Sequence, residues 1–579
     1  MATDRDENSL PLEEFTKLPT TVDFNIINTD RVKVYLKDKP YIKLGTELAS
    51  RYVVAYTNEE NLQGIFEDLG MDFLGFYPRI LSPLDSKSND DAGITKIVQQ
   101  PYLNLTGRGV IIGFVDTGID YTKSAFQYED GTTKIISIWD QTREGERPDE
   151  LYFGSVYTRE QINEALQAPN PYEIVPMEDN DGHGTFLASV AASNEKNEYI
   201  GAASGAEIIV VKLRRAREYY INKFLLPKDE PNLYESTDYL LGMKYILDKS
   251  EEMNLPVVMC ISMGSNMSGH DGNTYFEDYI SFVGEWPGYA FVAAAGNESN
   301  AKHHTQGRIA KSGDIDNLSI KVGAQDTSFM VSIFAEAFDK ISVGITSPTG
   351  ESISRLPFKV GLEYSEKFIF EKTQVTIGYY KSDNTVIIIG FKDATEGIWE
   401  VTLYGESIIS GDYYAWLPIT GQVSPSVDFL KPVPEYTVCY PATGAQSITC
   451  GAYNSNNNSL YASSSWGPTR VPRIAPDIVA PGVNVRGVYP YGYGTMSGTS
   501  VSAAITSGAV AILFEWAIIN GNISSMDSDL ARTLLISGAS RDENIRYPNI
   551  KWGYGKLNLH DTFDFIKSTN ILFEMQGTE

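Results

Sequence analysis

Basic residues are in short supply. The chain sets 47 lysines and arginines against 75 aspartates and glutamates, a formal net charge of −28 over 579 residues. Nucleic acid and anionic membrane surfaces bind through basic patches, so both are disfavoured as partners. Cysteine is scarce too. Cys260, Cys439 and Cys450 have neither metal-site spacing nor the even number of a disulfide framework. Cys260 lies in an apolar run and reads as a small core filler. The opening Met-Ala-Thr-Asp-Arg-Asp-Glu-Asn has no basic n-region and no apolar h-region, so no signal peptide is expected. Nothing is read as a membrane span of about 20 apolar residues. The expectation is a soluble protein, intracellular or exported by another route.

What is present is ample core material, 42% of the residues being hydrophobic. Residues 1–45 are polar and mixed, an N-terminal extension. Residues 46–92 read as a small α+β unit: a strand at Tyr52-Val-Val-Ala-Tyr, a helix from Asn58 to Asp68 with Leu62, Ile65 and Phe66 inward, and a strand at Phe73–Leu81. A linker follows at Ser86–Gly93. Residues 93–321 carry continuous apolar runs such as Val110–Val115, Ile208–Leu213, Val257–Ser262 and Ala290–Ala295. Helical patterns (Thr237–Met253, Thr274–Trp286) fall between them. That alternation predicts an α/β fold, a mostly parallel sheet covered on both faces. Residues 322–434 break the rhythm with short alternating runs between turns, which suggests an inserted β-sandwich. The α/β pattern resumes over 435–579.

Four residues stand out as a chemical set. Ser500 follows Gly498-Thr499 and precedes a long apolar run, so it falls at the N-terminus of a buried helix. A serine in that position is in most proteins only a cap. Asp116 ends the first buried strand, where sites gather in parallel sheets. His183 sits in a Gly-His-Gly turn before a short apolar helix, whereas His270, His303, His304 and His560 have polar neighbours and are expected in solvent. Asn297 closes another buried strand. Together they supply a carboxylate, a base, an amide donor and a hydroxyl. A serine hydroxyl needs an imidazole to remove its proton. The imidazole needs a carboxylate to fix its tautomer, and the tetrahedral oxygen needs donors already in place.

The blocks Asp116-Thr-Gly-Ile-Asp120, His183-Gly-Thr, Ala294-Ala-Gly-Asn297 and Gly498-Thr-Ser500 resemble the signature motifs of the subtilisin family of serine peptidases, in the family's order. Ser464–Pro468, Pro476–Gly482 and Trp552–Asn558 agree. The resemblance implies a subtilisin-like sheet and a serine endopeptidase. In it Ser500 is the nucleophile, His183 the base, Asp116 the orienting carboxylate and Asn297 an oxyanion donor. Ser262, Met263 and Gly264 would form the substrate-binding strand, with Ala294, Ala295 and Gly296 as the facing wall. The implied partners are a protein or peptide substrate and the chain's own prodomain, the α+β unit, with a self-made break between Leu81 and Ile94. No cofactor is required. A structural calcium is not expected, because Ala125 or a neighbour stands where relatives have an acidic ligand. Phe186 replaces a usual histidine and Ala504 a usual proline. The prodomain, the jelly-roll-like insert and the lack of a signal are similar to the clostridial Csp germination subtilases, which activate a lytic zymogen in spores. That likeness implies a cytoplasmic or spore-associated place. A catalytically silent scaffold binding a partner or small-molecule signal is the alternative, and the presence of all three triad residues argues against it.

Overall fold

The computed structural model describes residues 10–27, 32, 36, 39–48, 51–69, 79–83, 91–98, 100, 104–195, 199–324 and 327–569. Its centre is a nine-stranded sheet. From one edge the order is Ser459–Leu460, Ile448–Asn454, Tyr289–Ala294, Val257–Ile261, Ile111–Asp116, Glu207–Lys212, Ile135–Asp140 and Ser155–Thr158, with Ile478–Pro481 also paired to Ile448–Asn454. The six pairings that join Ile135–Asp140 through to Ile478–Pro481 are parallel. The apolar runs are continuous because both faces are covered. Ile112 and Phe114 enter one core, Ile111 and Val115 the other. Helices His183–Ala192 and Thr499–Phe514 cover the first face, and Ser236–Met253 and Tyr275–Val283 the second.

The helix that begins at Thr499 continues to Ile519 and is long and apolar enough to cross a membrane by length and composition. This corrects the reading that no such segment exists. Its most apolar window is 83% buried inside the protein, so it is a core helix of unusual uniformity.

The N-terminal unit starts earlier than expected. Thr21–Ile27 is a strand, paired antiparallel with Tyr52–Asn58, which pairs on its other side with Lys43–Leu48. Val22, Phe24 and Ile26 join Leu62 and Ile65 in one small core. On the other face Tyr52, Val54 and Tyr56 pack with Tyr239, Leu240 and Met243 of the main body. The helix runs Glu59–Leu69. The strand read at Phe73–Leu81 lies outside the described residues save for its end, which belongs to the strand Ile80–Pro83. Most of the expected linker, and the side chain of Phe66, lie outside them as well.

The β-rich insert is two antiparallel sheets, of six and five strands, enclosing a core of Val331, Ile377, Ile389, Trp399 and Val401 among others. Its expected start at 322 is too late. His304–Arg308 and Ile315–Val322 already belong to the two sheets. His304-Thr-Gln-Gly-Arg308 has no apolar period to announce a strand.

Three of the histidines expected in solvent are buried. The insert explains two of them: its Trp416 is stacked between His270, centroids 4.3 Å apart, and His304, 4.9 Å apart. Burial pushes these imidazoles down, to about 4 for His270 and about 3 for His304, so they stay neutral. His303 is paired with Glu298, Nδ1 to Oε2 2.7 Å.

Candidate active site

Asp116, Ser262 and Asn297 lie at or just beyond the carboxyl ends of three neighbouring parallel strands. His183 and Ser500 come in on the N-terminal turns of the two helices that cover that side of the sheet. Asp116 is fully buried. Its Oδ1 contacts Nδ1 of His183 at 2.7 Å and accepts the Thr117 amide at 2.7 Å. Its Oδ2 accepts the Ser262 hydroxyl at 2.6 Å. Burial by itself would raise the Asp116 carboxyl. The charge of His183 and the three hydrogen bonds outweigh it and hold the group below the ordinary carboxylate range.

Ser262 joins the two ends of the set. Its hydroxyl goes to Asp116, and its carbonyl accepts the Ser500 hydroxyl at 3.0 Å. Ser500 is fully buried at the start of an apolar helix, among that helix's free amides. Asn297 is oriented by Thr499: its Oδ1 accepts the Thr499 amide at 3.1 Å and the Thr499 hydroxyl at 3.3 Å. The amide's Nδ2 is therefore the end turned to donate. Thr499 Oγ1 also accepts the Gly296 amide at 3.0 Å.

The His183 turn is held by Asp179, which the sequence reading passed over. One carboxylate oxygen accepts the Thr117 hydroxyl and the Gly182 amide at 2.9 and 2.8 Å, the other the Thr185 amide and hydroxyl at 2.9 and 2.6 Å. Gly182 begins the helix at a φ of 91°, a left-handed conformation that suits glycine. Gly184 admits no side chain: a Cβ there would lie 2.2 Å from the Gly118 carbonyl oxygen. The cue to Asp179 was its place in Asp179-Asn-Asp-Gly-His183, a short acidic residue ahead of a helix start. Phe186 packs on Tyr489, ring centroids 4.8 Å apart.

The two expected walls extend from neighbouring parallel strands. Met263–Gly264 forms one, and Ala294, Ala295 and Gly296 the other. Val438–Tyr440 joins them: the Cys439 amide donates to the Ala295 carbonyl at 2.8 Å, and Tyr440 exchanges backbone bonds with Ser265. Cys439 is buried against Gly296, where a Cβ would come within 2.3 Å of its sulfur.

The strand Ile80–Pro83 lies alongside Met263–Gly264. It pairs antiparallel with Tyr234–Glu235 on one side (Leu81 with Tyr234, Ile80 with Glu235) and with Met263–Gly264 on the other (Pro83 with Met263, Ser82 with Gly264). Tyr234–Glu235 gave no strand signal, because two residues have no period and the third strand comes from more than 150 residues away.

The sequence model of the subtilase family matches residues 107–386 and 428–555. No curated protein sequence matches the chain. Among solved structures, the CspB protease of Clostridium perfringens is 31% identical with a TM-score of 0.73, over 83% of this chain and 99% of that one. Fervidolysin, a keratinolytic enzyme from Fervidobacterium pennivorans, is 14% identical with a TM-score of 0.49, over 94% of this chain and 61% of its own.

Proposed function

The chain belongs to the subtilase family as a subtilisin-like serine protease, and from that premise we propose that it is an endopeptidase working through Ser500, His183 and Asp116, with Asn297 in its oxyanion hole. The observation that carries this is the unbroken polar chain from His183 through Asp116 and Ser262 to the Ser500 hydroxyl. With Nδ1 committed to Asp116, the imidazole offers Nε2 to the nucleophile. In the proposed reaction the Ser500 hydroxyl leaves the Ser262 carbonyl for that nitrogen. Oγ attacks the substrate carbonyl as His183 takes its proton, and Asp116 steadies the imidazolium. The Asn297 Nδ2 and the Ser500 amide receive the developing negative oxygen. His183 then gives the proton to the leaving amine, and water repeats the cycle on the ester.

The α+β unit acts as a prodomain and is cut by the same serine. Support comes from Ile80–Pro83, which already lies between two strand edges as a peptide substrate would. The reading extends to activation of another protein by limited proteolysis, as the resemblance to the Csp germination subtilases implies. Calcium has no part in this reading. The buried Ala125 side chain, a methyl, offers no ligand atom. Nearby, the Lys134 ammonium bonds the carbonyls of Ala192 and Ser204, the latter at 2.6 Å.

An active-site fluorophosphonate tests the proposal. Ser500 is expected to be labelled in the wild type and not in Ser500→Ala, His183→Ala lowering the rate by orders of magnitude. Absence of both labelling and peptide hydrolysis would leave only the silent scaffold.

A further inference from the structure

The hairpin of Val485–Tyr489 and Gly492–Met496 carries Tyr489, Tyr491 and Tyr493, and the reaction above uses none of them. Tyr489 is held fast. Glycines flank its ring on two sides: a Cβ on Gly182 would lie 2.8 Å from it, and one on Gly494 2.7 Å. Phe186 packs on the same ring, centroids 4.8 Å apart. Tyr491, at the tip, stacks on it with centroids 4.9 Å and planes 13° apart. The Arg486 guanidinium lies over the Tyr493 ring, 4.3 Å from its centroid. Tyr491 is nonetheless 77% exposed and Tyr493 42%.

The mount is stiff as well. The Val488 amide donates to Ser189 Oγ on the helix that begins at His183, at 2.9 Å, and the Asn484 amide to Ser497 Oγ at 3.0 Å. Pro490 fixes its own φ at the turn, and Gly492 supplies a φ of 125° that other residues avoid. Rings that folding fixes in place but leaves in water have little freedom left to lose when something binds them.

Their position names the occupant. Gly182, the residue before His183, is in contact with both Tyr489 and Pro490. In the proposed reaction His183 gives its proton to the leaving amine, so the departing segment starts beside that imidazole. The other half of a substrate lies along Met263–Gly264, the edge that Ile80–Pro83 covers. The two halves run from the reacting carbonyl in opposite directions, which sends the departing one over the hairpin. An extended chain advances about 3.3 Å per residue, so the outer ring is reached two to three residues past the cut.

We propose that Tyr491, backed by Tyr489 and flanked by Tyr493, is the surface on which this protease holds the leaving side of its substrate, and that it selects an aromatic residue or proline at the second or third place after the cut. The proposal rests on the serine-peptidase reading above and gives that site its leaving-side specificity. The selection follows from the rings: a flat π face takes another ring offset or edge-on, and the C–H edge of a proline ring in the same way.

The test digests reduced, alkylated casein with the purified full chain and reads the cut sites by mass spectrometry, beside Tyr491→Ala and Tyr491→Phe. The best-cut site then supplies two probes, an internally quenched peptide that runs well past the cut and a coumarin amide that ends at it. The expected profile is enriched in aromatic residues and proline at the second or third place after the cut. In Tyr491→Ala the enrichment is lost and the ratio of kcat/KM between extended peptide and amide falls about three- to tenfold, while Tyr491→Phe keeps both. A flat leaving-side profile in the wild type, or a Tyr491→Ala variant that slows both probes alike, overturns the surface and leaves the peptidase standing. A wild type that leaves casein whole and takes no fluorophosphonate overturns the peptidase reading, and this proposal with it.

Discussion

Glu277 offers a measurement that separates folding from activity. It is fully buried at the start of the helix Tyr275–Val283, where it closes a capping box with Thr274. Its Oε2 accepts the Thr274 hydroxyl at 2.8 Å, and its Oε1 takes a hydrogen bond from Thr443. Burial, aided by the charge of Asp271, pushes its carboxyl up to about 7, although the bonds from Thr443 and Thr274 oppose the rise. A carboxyl raised in the folded state stabilises the fold fully below its unfolded value of 4.5, and that stability drains as pH climbs to about 7. Each pH unit in the window removes about 1.4 kcal/mol, so the whole window removes on the order of 3 kcal/mol. Glutamine imitates the neutral acid and keeps the cap. In a Ser500→Ala background, which prevents self-digestion, Glu277→Gln is expected to match its parent near pH 4.5 and to melt a few degrees higher at pH 8. Two melting curves that stay parallel from pH 4.5 to 8 would refute the reasoning.

Ser262→Ala removes a hydrogen bond to the buried Asp116 carboxylate and should lower kcat by about 10- to 100-fold, with KM for short peptides little changed; steady-state kinetics reads the split. Arg217 of the main body holds Asp23 of the N-terminal unit and Glu235, all three buried or nearly so. Arg217→Ala strands two carboxyl groups and should cost about 3–5 kcal/mol, seen as a lower Tm and faster nicking of residues 10–69 by an added protease. Burial raises Glu235 well above its ordinary value, with Arg217 pulling the other way. Its contribution is therefore lost as pH rises above 4.5, and nicking should quicken with rising pH in the wild type but not in Glu235→Gln. EDTA should leave the Tm unchanged, since the Ala125 side chain supplies no carboxylate ligand; a drop restored by calcium would overturn that reading.

The residues proposed for the site were legible because each sits where chain geometry leaves a mark. Asp116 and Asn297 follow buried apolar strands, and His183 and Ser500 follow glycines at helix starts. The buried histidines were not legible. His270 and His304 are covered by Trp416, more than 100 residues away in sequence, and their local neighbours say nothing of it. The strand Thr21–Ile27 was legible in the alternation of Val22, Phe24 and Ile26, yet it was read as extension. Its polar partners Asp23 and Asn25 are buried too, against Arg217 and Thr237, so the surroundings looked like surface. Ser262 was named for substrate, and only three dimensions show its hydroxyl on Asp116.

The rod of small and apolar residues that bears Ser500 has a consequence for the order of assembly. It slots among strands Val257–Ile261, Tyr289–Ala294, Ile448–Asn454 and Ile478–Pro481, all of which precede it in the chain. As the protein leaves the ribosome, carboxylate, imidazole and amide emerge first, and the hydroxyl arrives on the piece that plugs the interior. On the proposed triad a nascent chain is harmless until its own middle has been sealed, and arming the site and closing the core are one event.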